Sequence, residues 1–146
     1  MSENPDVTGI RDQIEAWAAA VRKQDMPGIL RNHSDDMVMF DVPPPLHLRG
    51  IAAYEASWPQ FFEASPKPIR FDIMDLQITA GNDVAFAVAL MRCAVIEDRN
   101  VDLDFRLTVG LRKIDGRWIV AHEHHSVPAE DYPLPKSLPA TSLRYP

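Results

Sequence analysis

From Val101 to Leu111 every second residue is apolar: Val101, Leu103, Phe105, Leu107, Val109 and Leu111 alternate with Asp102, Asp104, Arg106, Thr108 and Gly110. A period of two sends successive side chains to opposite faces, so this segment is a strand with one face in a core. A lone strand is not stable, and the flanking sequence supplies its partners. Before it, Val84 to Ile96 is apolar on both faces, as a central strand should be. One face is bulky (Val84, Phe86, Val88, Leu90). The other is small (Ala85, Ala87, Ala89), and that strip admits a close helix or leaves room for a ligand. After it, Asp115-Gly116 turns the chain into a last strand, Arg117 to Ser126. Upstream, Ile69, Phe71 and Ile73 alternate, then the parity changes to Leu76, Ile78 and Ala80. That change predicts a bulge near Met74-Asp75, which bends a sheet. With turns at Gly81-Asn82 and from Glu97 to Asn100, the four strands are expected to form one antiparallel sheet.

The N-terminal part is helical. Ile10, Ile14, Trp17 and Val21 recur at helical spacing with Ala18 beside them, and Thr8 is the expected N-cap. Asp25-Met26-Pro27 ends this helix and opens a short one with Ile29 and Leu30 on its apolar face. Ser34-Asp35-Asp36 reads as a turn. Met37 to Val42 then reads as a strand with Met37, Met39 and Asp41 on one side, stopped by Pro43-Pro44-Pro45. A third helix follows Gly50, with the stripe Ile51, Tyr54, Trp58, Phe61 and Phe62. Pro59 predicts a kink or break near Trp58. The expectation is an α+β fold, helices packed on a curved antiparallel sheet, as a single domain over 1–146. Its core is about 8–128, with a proline-rich surface tail over 129–146.

At 146 residues the chain fits one domain, and its 46% hydrophobic share is that of a globular protein. A net charge of −6 with scattered basic residues disfavours nucleic acid as a partner. No apolar run is long enough for a bilayer, so no membrane partner is expected. One cysteine, Cys93, excludes an intrachain disulfide and fits an inert buried thiol. The polar N-terminus has no secretory signature, and a cytoplasmic address is expected.

The last hairpin has two possible registers. A two-residue type I′ turn sets Ile114 opposite Arg117 and places His122 and His124 beside Val109 and Leu107. A three-residue loop with Gly116 in a G1 bulge sets Lys113 opposite Arg117, Glu123 near Leu107 and His125 near Phe105. A one-residue slip reverses every facing. The second register is preferred, because it keeps one face apolar and gathers polar groups on the other. It turns Glu123 and His125 inward. It turns Trp118, Val120, His122 and His124 outward, where a second subunit would cover them. A homodimer through the outer sheet face is therefore expected.

Three stretches carry a resemblance over roughly Thr8 to Pro128. Ser34-Asp35-Asp36-Met37-Val38-Met39-Phe40-Asp41 resembles the strand of ketosteroid isomerases that ends in the aspartate base, and Asp41 falls on that position. Pro43-Pro44-Pro45-Leu46 with Leu48-Arg49-Gly50 is similar to the lead-in to the third helix of SnoaL-like proteins. Asp115-Gly116-Arg117-Trp118, running on to His122-Glu123-His124-His125-Ser126, is similar to the final strand of those proteins and to the association domain of calmodulin-dependent kinases. The resemblance is to the ketosteroid isomerase-like and nuclear transport factor 2-like superfamily, SnoaL-like branch. It implies a cystatin-like cone. It also implies Asp41 as a general base, with Trp17 at the position of the isomerase tyrosine and Thr108 near that of its second donor.

The candidate site follows. Asp41 is either a base, partly desolvated at a pocket mouth and so raised in pKa, or a strand-end aspartate bonding its own turn. His125 is a donor or proton shuttle with Glu123 as partner, or the two are a self-satisfied buried pair. Asp41 and His125 are the expected catalytic residues. Trp17, Tyr54, Trp58, Phe62 and Glu123 are the expected lining of one cavity with them. His122 and His124 lack a convincing third ligand, so no metal is expected. No cofactor is required. The implied function is a cofactor-independent isomerase, dehydratase or cyclase for a small apolar or carbonyl-containing ligand; the alternative is a non-catalytic ligand-binding or oligomerisation domain.

Overall fold

Asn4 opens the first helix in the computed structural model, which describes residues 3–96 and 100–129. Its side chain accepts from the Asp6 N–H at 2.8 Å, and Pro5, which has no N–H to satisfy, takes the first position of α1 (Pro5–Lys23). Thr8 is therefore not the cap; it lies inside the helix, and its hydroxyl donates to Glu3 at 3.0 Å. Ile10, Ile14, Trp17, Ala18 and Val21 are all buried, as the helical spacing requires. Gln24, at φ 55, ends α1 in the left-handed conformation. Asp25 caps α2 (Met26–Leu30) through the Gly28 N–H.

The first strand, β1 (His33–Phe40), starts earlier than expected. Ser34-Asp35-Asp36 is not a turn but a polar, irregular stretch of strand, where the register against the last strand shifts between His33 and Val38. Beyond it Met37 and Met39 face the core. A short strand, β2 (Leu48–Arg49), leads through Gly50 into α3 (Ile51–Ala64). Gly50 sits at φ 89, a conformation that only glycine adopts cheaply, while its N–H donates to the Met37 carbonyl at 2.8 Å. The break expected at Pro59 does not occur. Pro59 and Glu55, whose carbonyl loses its helical partner, are both on the exposed side of the helix, so the missing bond falls where solvent has access.

Four strands complete the chain: β3 (Phe71–Ala80), β4 (Val84–Ile96), β5 (Asn100–Ile114) and β6 (Arg117–Ser126). They pair antiparallel in sequence order. β1 lies parallel to β6, so the six-stranded sheet runs β2-β1-β6-β5-β4-β3. The bulge expected in β3 is present: the register shifts between Met74 and Gln77, and Asp75 takes φ 53. α1 packs across β3, with Trp17 edge-on to Phe71 at 5.2 Å, and the core fills the space between helices and sheet. Ala85, Ala87 and Ala89 face that core. Val84, Phe86 and Leu90 are 60%, 49% and 45% exposed on the other side. The turn at Glu97 to Asn100 and the proline-rich tail lie outside the described residues, residues 97–99 and those beyond 129.

The last hairpin corrects the preferred register. Ile114 pairs with Arg117, and Asp115 and Gly116 both take positive φ (50 and 77), the two-residue turn. The register then shifts: Leu111 pairs with Val120, but Gly110 pairs with His122, leaving Ala121 as an extra residue. The bulge reverses the facing midway along β6. Trp118 and Val120 are buried in the core and not on the outer face, because they precede the bulge. Glu123 and His125 are also buried, because they follow it, and they stand beside Val109 and Leu107 respectively.

Candidate active site

Asp41 follows directly on β1, on the parity that Met37 and Met39 bury. His125 lies one residue from the end of β6, the parallel neighbour of β1. The two strands thus deliver both side chains to one place, with His125 Nδ1 3.7 Å from Asp41 Oδ1. They line a cavity of about 200 Å³ whose walls include Trp58 and Phe61 of α3, Phe71 of β3 and Phe105 of β5. The His125 ring lies against Phe105, centroids 5.4 Å apart and planes 26° from parallel. Asp41 also accepts from the Val42 N–H at 2.8 Å, so the turn-capping role and the place at the cavity are held together.

Behind His125 runs a buried hydrogen-bonded chain. Trp17 Nε1 donates to the Tyr54 hydroxyl at 2.9 Å, and that hydroxyl donates to Glu123 Oε2 at 2.8 Å. Glu123 Oε1 lies 3.0 Å from His125 Nε2. His33 Nε2 reaches Glu123 Oε2 at 2.5 Å. Burial by itself drives the Glu123 carboxyl up, but the hydrogen bonds from His125 and His33, and then the His33 charge, outweigh it and hold the group down at about 2. Burial lowers His33, yet its bond to Glu123 and that carboxylate's charge leave it raised. Burial first, then the Glu123 charge, pushes the Tyr54 phenol well up. Glu123 is thus an ionised carboxylate, 2% exposed, served by three donors.

Of the residues expected around one cavity, Asp41, His125 and Trp58 line it. Trp17, Tyr54 and Glu123 do not: their polar atoms are consumed by one another, one layer deeper. The Trp17 indole N–H, spent on Tyr54, has no proton left for a ligand in that cavity. Phe62 packs against Trp58 at 6.0 Å in the core. Thr108 lies on the opposite parity from buried Leu107 and Val109, paired with His124, away from the cavity. His122 and His124 turn outward, with Phe40 edge-on to both and the Val38 carbonyl 2.7 Å from His122 Nδ1. His33 was not anticipated, since in sequence it stands as a single histidine before an apparent turn.

A curved sheet closed by helices around a small apolar cavity, with a carboxylate–imidazole chain at its polar end, is the cystatin-like cone. The chain belongs to the SnoaL-like domain family, whose pattern it matches over residues 10–130. It is similar to a nuclear transport factor 2-like protein of unknown function from Pseudomonas putida KT2440, at 39% identity and TM-score 0.76, covering 83% of this chain and 85% of that one. A ketosteroid isomerase-like protein from Erwinia carotovora atroseptica SCRI1043 shares the fold at 20% identity and TM-score 0.69, covering 85% and 97%. A protein with a cystatin-like fold from Caulobacter vibrioides shares it at 19% identity and TM-score 0.72, covering 86% and 91%. No curated protein matches the chain. No described helix is long and apolar enough to cross a membrane.

Proposed function

We propose that this protein is a cofactor-independent enzyme that moves protons on a small carbonyl compound, in an isomerisation, dehydration or cyclisation. The observation that carries the reading is the His125 ring. Its Nε2 is anchored on the buried Glu123, while its Nδ1 lies 3.7 Å from Asp41 at the cavity. Glu123 fixes the ring's orientation, as an orienting carboxylate does for a working imidazole. Asp41 takes a proton from the carbon next to the carbonyl, and His125 passes a proton to or from the substrate oxygen as charge develops there. The cavity size limits the substrate. About 200 Å³ suits a single ring or a short chain, since a cavity of roughly 150 Å³ holds benzene.

Deuterium exchange at the carbon next to the carbonyl, followed by proton NMR in D₂O, tests this without knowledge of the product. Small carbonyl compounds and carboxylic acids that raise the melting temperature are the substrates to use. Asp41→Asn and His125→Gln should each slow exchange about 100-fold or more while binding persists. Binding with no protein-dependent exchange would put the non-catalytic ligand-binding reading in front.

The exposed apolar residues of β4 support a second element of the proposal, a homodimer through the outer sheet face. Val84, Phe86, Val88 and Leu90 form a contiguous row there, where a folded monomer gains nothing from apolar side chains.

A further inference from the structure

The partners of His33 determine its charge. The Trp17 indole N–H can only donate, so the Tyr54 oxygen accepts from it and the Tyr54 proton points to Glu123 Oε2. That oxygen receives His33 Nε2 as well, so it accepts twice and His33 Nε2 carries a proton. His33 Nδ1 lies 3.0 Å from the Arg31 carbonyl, which can only accept, so this nitrogen carries a proton too. A ring protonated on both nitrogens is an imidazolium. The His33 side chain is 2% exposed, and its ring is stacked on Tyr54 at 5.0 Å and 20°, a setting that favours a cation over an aromatic face.

A buried carboxylate needs a counter-charge, and Glu123 has two imidazoles within reach. We propose that His33 is the permanent counter-charge of Glu123, and that this frees His125 to take up and release its second proton at the cavity. His33 is then a positioning residue, acting on the cavity through Glu123. The proposal rests on the proton-transfer reading of His125, but its direct readout needs no substrate.

Several other groups face the two rings. Around His33 they are Tyr54 of α3, Glu123 and His125 of β6, and, across a second cavity of about 300 Å³, Lys23 of α1 with Asp25 and Arg31 beside α2. Around His125 they are Asp41, Glu123 and the neighbouring His124. Of all these, only His33 is bonded to the Glu123 carboxylate and is at the same time held by a backbone carbonyl at its far nitrogen. Without the His33 charge, the need for a cation beside Glu123 falls on His125, because an opposite charge within about 4–6 Å favours the charged form.

Long-range proton–nitrogen correlation spectra of the ring nitrogens, recorded on the unliganded 15N-labelled protein at neutral pH, test this. In the wild type His33 should show both nitrogens protonated and His125 a proton on Nε2 alone. In His33→Gln, His125 should become doubly protonated at the same pH, and any exchange rate that depends on it should have its pH profile displaced to higher pH. A merely structural His33 would lower the rate at every pH and leave the profile in place. Glu123→Gln, which keeps the shape and removes the charge, should cost His33 its second proton and decides the matter even if His33→Gln does not fold. A singly protonated His33 in the wild type, an unchanged His125 in His33→Gln, or a persistent His33 imidazolium in Glu123→Gln would each overturn the proposal. Absence of turnover on every carbonyl compound tried would count against the enzyme and leave these spectra to judge His33.

Discussion

Tyr54→Phe removes one oxygen from a fully buried ring and leaves the ring's volume in place. Two interactions go with it. The Trp17 indole N–H loses its acceptor and is left buried and unpaired, at a cost of about 1–3 kcal/mol. Glu123, an ionised carboxylate with 2% exposure, loses one of three donors, and hydrogen bonds to charged groups contribute about 1.5–3 kcal/mol. The two losses share one oxygen and do not add fully, so the expected destabilisation is about 3 kcal/mol. For a chain of this size that lowers the melting temperature by roughly 6–12 °C. Urea denaturation followed by circular dichroism gives the number, with an unchanged m-value showing that the folded and unfolded states keep their compactness. A loss below about 1 kcal/mol would refute the reasoning, since it would mean that the Trp17 and Glu123 atoms find other partners and the chain is not the closed network described.

The pH dependence of stability has a definite sign on each side. Glu123, held at about 2, stabilises the fold above the ordinary carboxylate value of roughly 4.3 and loses that contribution, about 3 kcal/mol, as the pH falls toward 2; Glu123→Gln should flatten this acid limb in a denaturation series. His33, raised in the fold, contributes fully below the ordinary imidazole value of roughly 6.5 and loses its contribution as the pH rises through its folded value, so His33→Gln should flatten the alkaline limb. Phe86→Lys with Leu90→Lys should turn a dimer into a monomer by light scattering while the circular dichroism spectrum is unchanged; a monomeric wild type at micromolar concentration would remove the dimer. Burial pushes the Cys93 thiol up to about 11, so an aromatic disulfide reagent should label it slowly in the native protein and fast in urea; equal rates would show that the thiol is accessible.

The α1 face, the β3 bulge and the four-strand meander were legible because each leaves a periodic mark: a spacing of three and four, or an alternation that changes parity once. Asp41 and His125 were legible as a pair because each ends a strand. Trp17, Tyr54 and Glu123 were correctly turned inward, but sequence could not tell a lining residue from one a layer deeper, since that depends on which polar atoms satisfy each other. His33 had no signal of its own. Its partner is 90 positions away, brought near only by the parallel pairing of β1 with β6, a long-range contact that no local pattern encodes. The Ala121 bulge was hard to see because its own strand carries neither glycine nor a turn residue there; the glycine at the register shift, Gly110, stands on the neighbouring strand. A second clue existed: Trp118 and Val120 are as suited to a core as Glu123 and His125 are to a site, and no regular strand can turn all four inward.

His122-Glu123-His124-His125 can be regarded as two interleaved inscriptions on one strand. The bulge at Ala121 selects the one that is turned toward the core: a carboxylate and an imidazole, of which the imidazole reaches the cavity beside Asp41. Were Ala121 instead taken into a regular ladder, the same four side chains would present two imidazoles to the interior and send the carboxylate to the outer face. The chemistry of the pocket therefore depends on which residues are counted into the ladder as well as on composition. A chain of this kind keeps its acid–imidazole interior only while one residue is held out of the pairing, and flattening that bulge would exchange it for a twin-imidazole one with no substitution in the site itself.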